Sequence, residues 1–72
     1  MAYDYRKLKG RIIEMFGTQY EFAAAMGMSE RTLTLKLSGR AIFKQTEITA
    51  ACQLLEISDE EIPVYFFNLI VQ

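Results

Sequence analysis

The sequence predicts a small all-α protein of four to five helices that occupies residues 1–72 as a single domain. Apolar residues recur every three or four positions in several separate stretches, which is typical of amphipathic helices. Capping residues precede these stretches and glycines follow them. With 72 residues and 51% hydrophobic side chains, the chain is long enough for one modest core and too apolar to be disordered.

The first predicted helix lies near the N-terminus. Asp4 is its expected N-cap, the helix extends to about Phe16, and Gly17 ends it. Its apolar stripe, at helical spacing, consists of Leu8, Ile12 and either Met15 or Phe16.

Residues 18–39 contain two short helical patterns joined by a tight turn. Thr18 is a good N-cap and Glu21 lies three residues further on, which makes a capping box. Gly27 ends this helix, because glycine takes the left-handed conformation at little cost. Ser29 then caps the second helix, which occupies the rest of the motif.

The outer face of the second helix of the motif points to a function. At about 100° per residue, Leu33 and Leu37 share one side and should face the core. The opposite side offers hydroxyls, charged groups and one apolar side chain, and comprises Glu30, Arg31, Thr34, Leu35 and Ser38. A helix with such a face, held by a preceding helix and a short turn, suits insertion into the major groove of DNA.

The motif resembles the helix-turn-helix of the phage repressor and Cro family, often called XRE-type regulators. The matching residues, which keep the family's spacing without insertion, are Gln19, Ala23, Gly27, Met28, Ser29, Leu33 and Gly39. Lys36 departs from the pattern, because many members have an apolar residue there. The resemblance implies a lambda-repressor-like bundle and a homodimer whose two reading helices enter successive major grooves of a double-stranded DNA operator.

Under this hypothesis the second helix of the motif reads bases. Arg31 is the candidate for a bidentate contact to guanine, Glu30 for accepting from a cytosine amine or orienting Arg31, and Leu35 for contacting a thymine methyl. The full base-reading set is Ser29, Glu30, Arg31, Thr34, Leu35 and Ser38. The candidates for contacting and positioning the phosphates are Thr18, Gln19, Lys36, Arg40 and Lys44.

The distribution of charge is compatible with a DNA partner, although the net charge is −1. All eight basic residues lie within the first 44 positions together with four acidic ones, whereas residues 45–72 hold five acids and no base. Such asymmetry favours one end of the molecule facing a polyanion. The alternative is chance clustering of charges on a solvated surface.

A further helix is predicted over residues 45–55. Its apolar stripe consists of Ile48, Ala51, Cys52 and Leu55. The loop before this helix is expected to be anchored in the core by Ile42 or Phe43. Lys44 stands at the cap position, where it adds a cation for a phosphate at the helix start. Cys52 is expected to be a small core residue and not a reactive thiol.

The C-terminal part leaves alternatives open. Ser58 begins a second capping box, after which either residues 59–62 form a separate short helix or a helix restarts at Pro63. Residues 64–71 are nearly all apolar. They either pack on the chain's own core or form a dimer surface within the segment 58–72, as a helix face or an exchanged strand. The dimer candidates are Tyr65, Phe66, Phe67, Leu69 and Ile70.

Enzyme activity is not expected from this composition. The absence of histidine excludes Ser-His and Cys-His nucleophile pairs, and one cysteine leaves too few ligands for a zinc site. The glycines are scattered, so no phosphate-binding loop is present. No metal, cofactor or small-molecule substrate is therefore expected. The chain lacks an apolar stretch of the roughly 20 residues that a membrane span needs, and the lone cysteine fits a cytoplasmic location.

A second hypothesis belongs to a different class of function. Small helical domains reuse this topology as protein-interaction modules, and the apolar C-terminal stretch offers a surface for docking a partner such as another repressor. Such an antirepressor-like module would not bind DNA itself. A salt titration with double-stranded DNA separates the two hypotheses, because the affinity of a DNA-binding protein falls steeply as salt rises.

Overall fold

A computed structural model describes residues 3–70 of the chain. This part forms a small all-α bundle, as predicted, with five α-helices and one short 3₁₀ turn. The elements are α1 (Arg6–Phe16), α2 (Gln19–Met26), α3 (Glu30–Leu37), α4 (Gln45–Leu55), the 3₁₀ turn (Asp59–Glu61) and α5 (Ile62–Phe66). Residues 1–2 and 71–72 of the predicted domain, and thus the end of the predicted segment 58–72, lie outside the described residues.

The helix boundaries in the motif follow from the capping residues that the sequence carries. The Thr18 hydroxyl accepts the backbone N–H of Glu21 at 3.1 Å and begins α2. The Ser29 hydroxyl accepts the backbone N–H of Thr32 at 3.1 Å and begins α3. Between the two helices, Gly27 has a φ of 74°, the left-handed conformation that a side chain would disfavour.

One core holds the helices together. α1 packs on α2, α4 and α5, while α2 also packs on α3 and α4. The largest side chains with almost no exposure lie at these contacts, and they are Leu8, Ile12, Phe22, Leu33, Leu55 and Phe66. Cys52 is buried in the same core, as expected, and this burial raises the pKa of its thiol.

The start of α1 differs from the prediction by one residue. The helix begins at Arg6, because Tyr5 is buried in the core at the cap position and has no capping side chain. Asp4 still satisfies a free helix donor, since its carboxylate accepts the Arg6 backbone N–H at 3.0 Å. The side-chain and backbone hydrogen bonds from Arg6 lower the pKa of Asp4 from 3.8 to about 2. At the other end of α1, Phe16 and not Met15 packs against the core.

The C-terminal part forms two consecutive helical elements and then becomes extended. The 3₁₀ turn runs directly into α5, with Pro63 in the first turn of that helix, where the missing N–H costs nothing. After α5 the chain passes along the N-terminal segment. The Asp4 backbone N–H donates to the Asn68 carbonyl at 2.6 Å, and Tyr3 and Leu69 form an isolated antiparallel bridge.

Candidate protein-interaction surface

The outer face of α3 has the rotation that its helical spacing predicts. Leu33 and Leu37 point into the core, whereas Arg31 and Thr34 are exposed. Ser29 and Glu30, at the start of the helix, are exposed as well. The face therefore presents small polar groups and two opposite charges to a partner, but these groups alone do not specify whether that partner is a nucleic acid or a protein.

Two residues of the same face, Leu35 and Ser38, also form hydrogen bonds that end α3. Leu35 is half-buried, and its carbonyl accepts hydrogen bonds from the backbone N–H groups of Arg40 at 3.0 Å and Ala41 at 3.2 Å. The Ser38 hydroxyl donates to the same carbonyl at 3.0 Å. These bonds end α3 and fix the direction in which the chain leaves it.

Lys36 was expected to contact a phosphate, and the structure shows that this prediction is wrong. Its side chain is 6% exposed and extends into the protein. The ammonium Nζ donates to the Ile42 carbonyl at 2.8 Å and lies 3.0 Å from Oε1 of Glu47. Because the residue lies on the same side of α3 as Leu33 and Leu37, its stem fills an apolar position and its charge is paired internally.

The other residues predicted to contact phosphates lie in different settings. The Thr18 hydroxyl serves as a helix cap, and Gln19 beside it is half-buried. Arg40 and Lys44 are exposed on either side of the loop between α3 and α4. Within residues 3–70, neither Arg40 nor Lys44 forms an ion pair within 4.0 Å.

Part of the positive charge in the N-terminal half is paired with carboxylates of the same chain. Arg6 pairs with Asp4 at 2.6 Å. Arg11 pairs with Glu14 at 2.6 Å and donates to the Leu55 carbonyl at 2.9 Å. With Lys36, three of the eight basic residues have acidic partners in the described part of the chain. The excess of basic residues in the sequence is thus a weaker argument for a polyanion than their number indicates.

The predicted dimer residues divide between core and surface. Phe66 was predicted to lie on a dimer surface and does not, because α5 directs its ring into the core. There it is 1% exposed and packs edge-on against Phe43, with 5.4 Å between the ring centres. Tyr65 is half-buried beneath Lys7, whose Nζ lies 5.7 Å from the ring centre.

An exposed apolar area remains where the two ends of the chain meet, and we call it the terminal apolar surface. It consists of Tyr3, Phe67, Leu69 and Ile70, each more than a third exposed. Tyr3 and Phe67 also line a groove of about 280 Å³, to whose lining Ile42 contributes as well. Exposed apolar groups of this kind mark surfaces on which proteins associate.

The loop between α3 and α4 adds an exposed residue that sequence reasoning did not single out. Phe43 anchors this loop, as one of the two open alternatives predicted, by packing against Tyr5 and Phe66. Ile42 points the other way and is 82% exposed, more than any other large apolar side chain in residues 3–70. The signal was the adjacency of two apolar residues in an extended loop, where successive side chains point to opposite sides.

Two kinds of site were not found among the described residues. Within residues 3–70 no group of three or more Cys, Asp or Glu side chains is placed to hold a metal ion. No helix there has the length and apolar character needed to cross a bilayer.

The chain matches the model of a known protein family. Residues 1–69 match the model of a family described as "Protein of unknown function (DUF739)". The chain belongs to the DUF739 family. The match does not show membership of the repressor and Cro family that the helix-turn-helix resembles. No curated protein matches the chain.

The chain is also similar to a solved structure. That structure is the solution structure of the modulator of repression (MOR) of the temperate bacteriophage TP901-1 from Lactococcus lactis. The two chains are 51% identical, the match covers 100% of this chain and 97% of the other, and the TM-score is 0.82.

This similarity overturns the leading functional hypothesis. The chain was expected to be a DNA-reading regulator of Cro or repressor type with a double-stranded operator as its partner, and its similarity is to a modulator of repression instead. The comparison does not show the expected homodimer, which was predicted also from the apolar C-terminal segment. The physical reason for the error is that the exposed face of α3 is suited to either kind of partner.

Proposed function

We propose that this chain is a modulator of phage repression that acts by binding a repressor protein and not by reading an operator. The observation that carries the proposal is the 51% identity, over the whole chain, with the modulator of repression of bacteriophage TP901-1. A protein that modulates a repressor without replacing it has the repressor itself as its most direct target.

The chemistry of the surface supports a protein partner. Phe67, Leu69 and Ile70 are exposed beside the apolar groove, and Ile42 projects from the neighbouring loop. Aromatic and aliphatic side chains at the centre of a patch, with polar groups around it, are typical of protein interfaces. Of the basic residues expected to contact phosphates, Lys36 is instead buried and paired with Glu47.

The proposed role needs no catalysis, metal or cofactor. A module of this kind acts by occupying a surface, so the absence of histidine from the sequence is no obstacle to it. We place the action in the cytoplasm, where a repressor meets its operator, and we assign it to the bundle as a single unit.

Fluorescence anisotropy tests the proposal with two repressors as probes. These are the repressor of bacteriophage TP901-1 and the repressor encoded in the same genome as this chain. The labelled chain should bind at least one of them saturably, and a labelled operator duplex should show no change with the chain alone at about 50 mM salt. Salt-sensitive binding to the duplex, together with no binding to either repressor, would contradict the proposal.

A further inference from the structure

The loop between α3 and α4 is held firmly although it carries an exposed apolar side chain. The backbone N–H groups of Gly39, Arg40 and Ala41 donate to carbonyls in the last turn of α3, at 3.0 to 3.2 Å. At the other end of the loop, the Lys44 backbone N–H donates to Glu47 Oε1 at 2.9 Å. The loop therefore has little freedom to fold Ile42 back onto the protein.

The buried ion pair between Lys36 and Glu47 secures the centre of this loop. The Lys36 ammonium reaches from α3 to the Ile42 carbonyl at 2.8 Å and to Glu47 on α4 at 3.0 Å. It also lies 5.9 Å from the centre of the Phe43 ring. A single cation thus joins two helices to the residue whose side chain points outward. Buried ion pairs add little net stability compared with apolar packing, so a role in fixing one loop conformation explains this pair better.

The neighbours of Ile42 define what a partner must offer. Tyr3, Phe67 and Ile42 line the apolar groove of about 280 Å³, so the isoleucine stands at the edge of a larger apolar area. Arg40 and Lys44 flank it in the chain, are exposed, and form no ion pair within 4.0 Å among the described residues. A matching surface would be an apolar pocket bordered by carboxylates.

We propose that Ile42 is the anchor through which the chain docks on its repressor, and that Lys36 is the positioning residue that presents it. The occupant of this surface is an apolar pocket on the repressor with an acidic border that faces Arg40 and Lys44. Because the partner is the repressor of the proposed function, the anchor depends on that function. Preorganisation of the loop lowers the entropic cost of docking, which is the advantage that a fixed anchor has over a mobile one.

The first test compares two identical substitutions at exposed isoleucines. Ile42→Ala should weaken binding to the repressor by about tenfold or more, as expected for truncation of an interface anchor. Ile13→Ala on α1, where the side chain is 49% exposed, is the matched control and should change the dissociation constant less than about twofold. Both variants should keep the wild-type free energy of unfolding, because neither side chain is buried.

The second test separates positioning from general stability by a double-mutant cycle. Lys36→Met keeps the volume of the stem and removes the bonds to Ile42 and Glu47. It should weaken repressor binding in the wild-type background and have little further effect when Ile42 is already alanine. Equal losses in both backgrounds would show a merely structural role and overturn the assignment of Lys36.

A third test concerns the basic residues that flank Ile42. Arg40→Glu should slow association with the repressor and reverse its dependence on salt, whereas Lys9→Glu on α1 should do neither.

If the wild-type chain binds neither repressor, the proposed function fails and the anchor fails with it. If the wild type binds and Ile42→Ala binds equally well, the proposed function stands and the anchor is wrong.

Discussion

At the scale of single residues, Lys36 is the most informative side chain. The spacing from Leu33 and Leu37 puts position 36 near the buried side of α3, and the repressor pattern has an apolar residue there. The structure shows how a lysine fits, since its stem is buried and its ammonium meets a carbonyl and a carboxylate. The sequence does not predict this outcome, because the partners Ile42 and Glu47 are supplied by a loop and a helix that come later in the chain.

The ion pair makes a prediction about pH. Burial raises the pKa of Glu47. Hydrogen bonds from the Lys44 backbone N–H and the Lys36 ammonium, together with the positive charges of these two lysine side chains, lower it by more. The pKa of Glu47 is therefore below its usual value of 4.5. A carboxyl whose pKa is lower in the folded state stabilises the fold above its unfolded pKa and loses this contribution as the pH falls through the folded value.

Glu47→Gln should therefore be less stable than the wild type at about pH 7, by about 1–3 kcal/mol, because the buried Lys36 ammonium loses its charged partner. The difference should narrow as the pH falls from 4.5 through the lowered pKa of the folded state, because the wild-type carboxylate then becomes protonated and loses its charge. Urea denaturation at a series of pH values measures it. Glu60→Gln, an exposed control, should stay within about 0.5 kcal/mol of the wild type. A constant difference across the whole pH range would contradict the pairing.

Gly10 gives a second prediction at this scale. It lies inside α1, and within residues 3–70 no atom outside its own helix and its chain neighbours lies within 4 Å of where a Cβ would be. Gly10→Ala should raise the free energy of unfolding by about 0.5–1 kcal/mol, because alanine loses less backbone entropy in a helix. Gly27→Ala is the matched contrast and should destabilise, because its φ is 74°. Thermal or urea unfolding of both variants measures these changes. A loss of stability in Gly10→Ala would contradict the prediction.

At the scale of the elements, local signals predicted most boundaries. The bounds of α4 agree with the prediction over 45–55, and α2 and α3 begin at the caps that the sequence shows. The prediction was less accurate at both ends of the chain. α1 starts late because Tyr5 is drawn into the core, and α5 is short because the chain turns to run beside the N-terminal segment. Both effects are tertiary contacts that a local pattern does not contain.

The cap of α3 makes a prediction about stability at this scale. Ser29→Ala removes the acceptor for the Thr32 backbone N–H and should lower the free energy of unfolding by about 1 kcal/mol. Ser29→Asp restores an acceptor at the same place, next to the positive end of the helix dipole, and should recover most of the loss. Urea denaturation of the three proteins measures both steps. No loss in the alanine variant would mean that the cap does not hold α3.

At the scale of the whole molecule, the fold was predicted, but the leading functional hypothesis was wrong and the comparison favours the alternative of a protein-interaction module. Helix spacing, caps and glycines define the bundle, and the inward direction of Leu33 and Leu37 was correct. The same rotation leaves Arg31 and Thr34 outward, which is compatible with a DNA groove or with a protein surface. The pattern does not specify the ligand, and the proposal of a repressor as partner rests on the likeness to a modulator of repression. The pairing of charges within the fold also needed three-dimensional contacts.

The central claim is that the chain binds a repressor protein and does not read DNA by itself. An NMR titration of the ¹⁵N-labelled chain tests it most directly, because one spectrum reports both whether a partner binds and where. Addition of the repressor should shift the amide signals of residues 39–44 and of the residues around Phe67, and addition of the operator duplex at about 50 mM salt should shift none. A duplex that shifts the signals of α3, with a repressor that leaves the spectrum unchanged, would contradict the account.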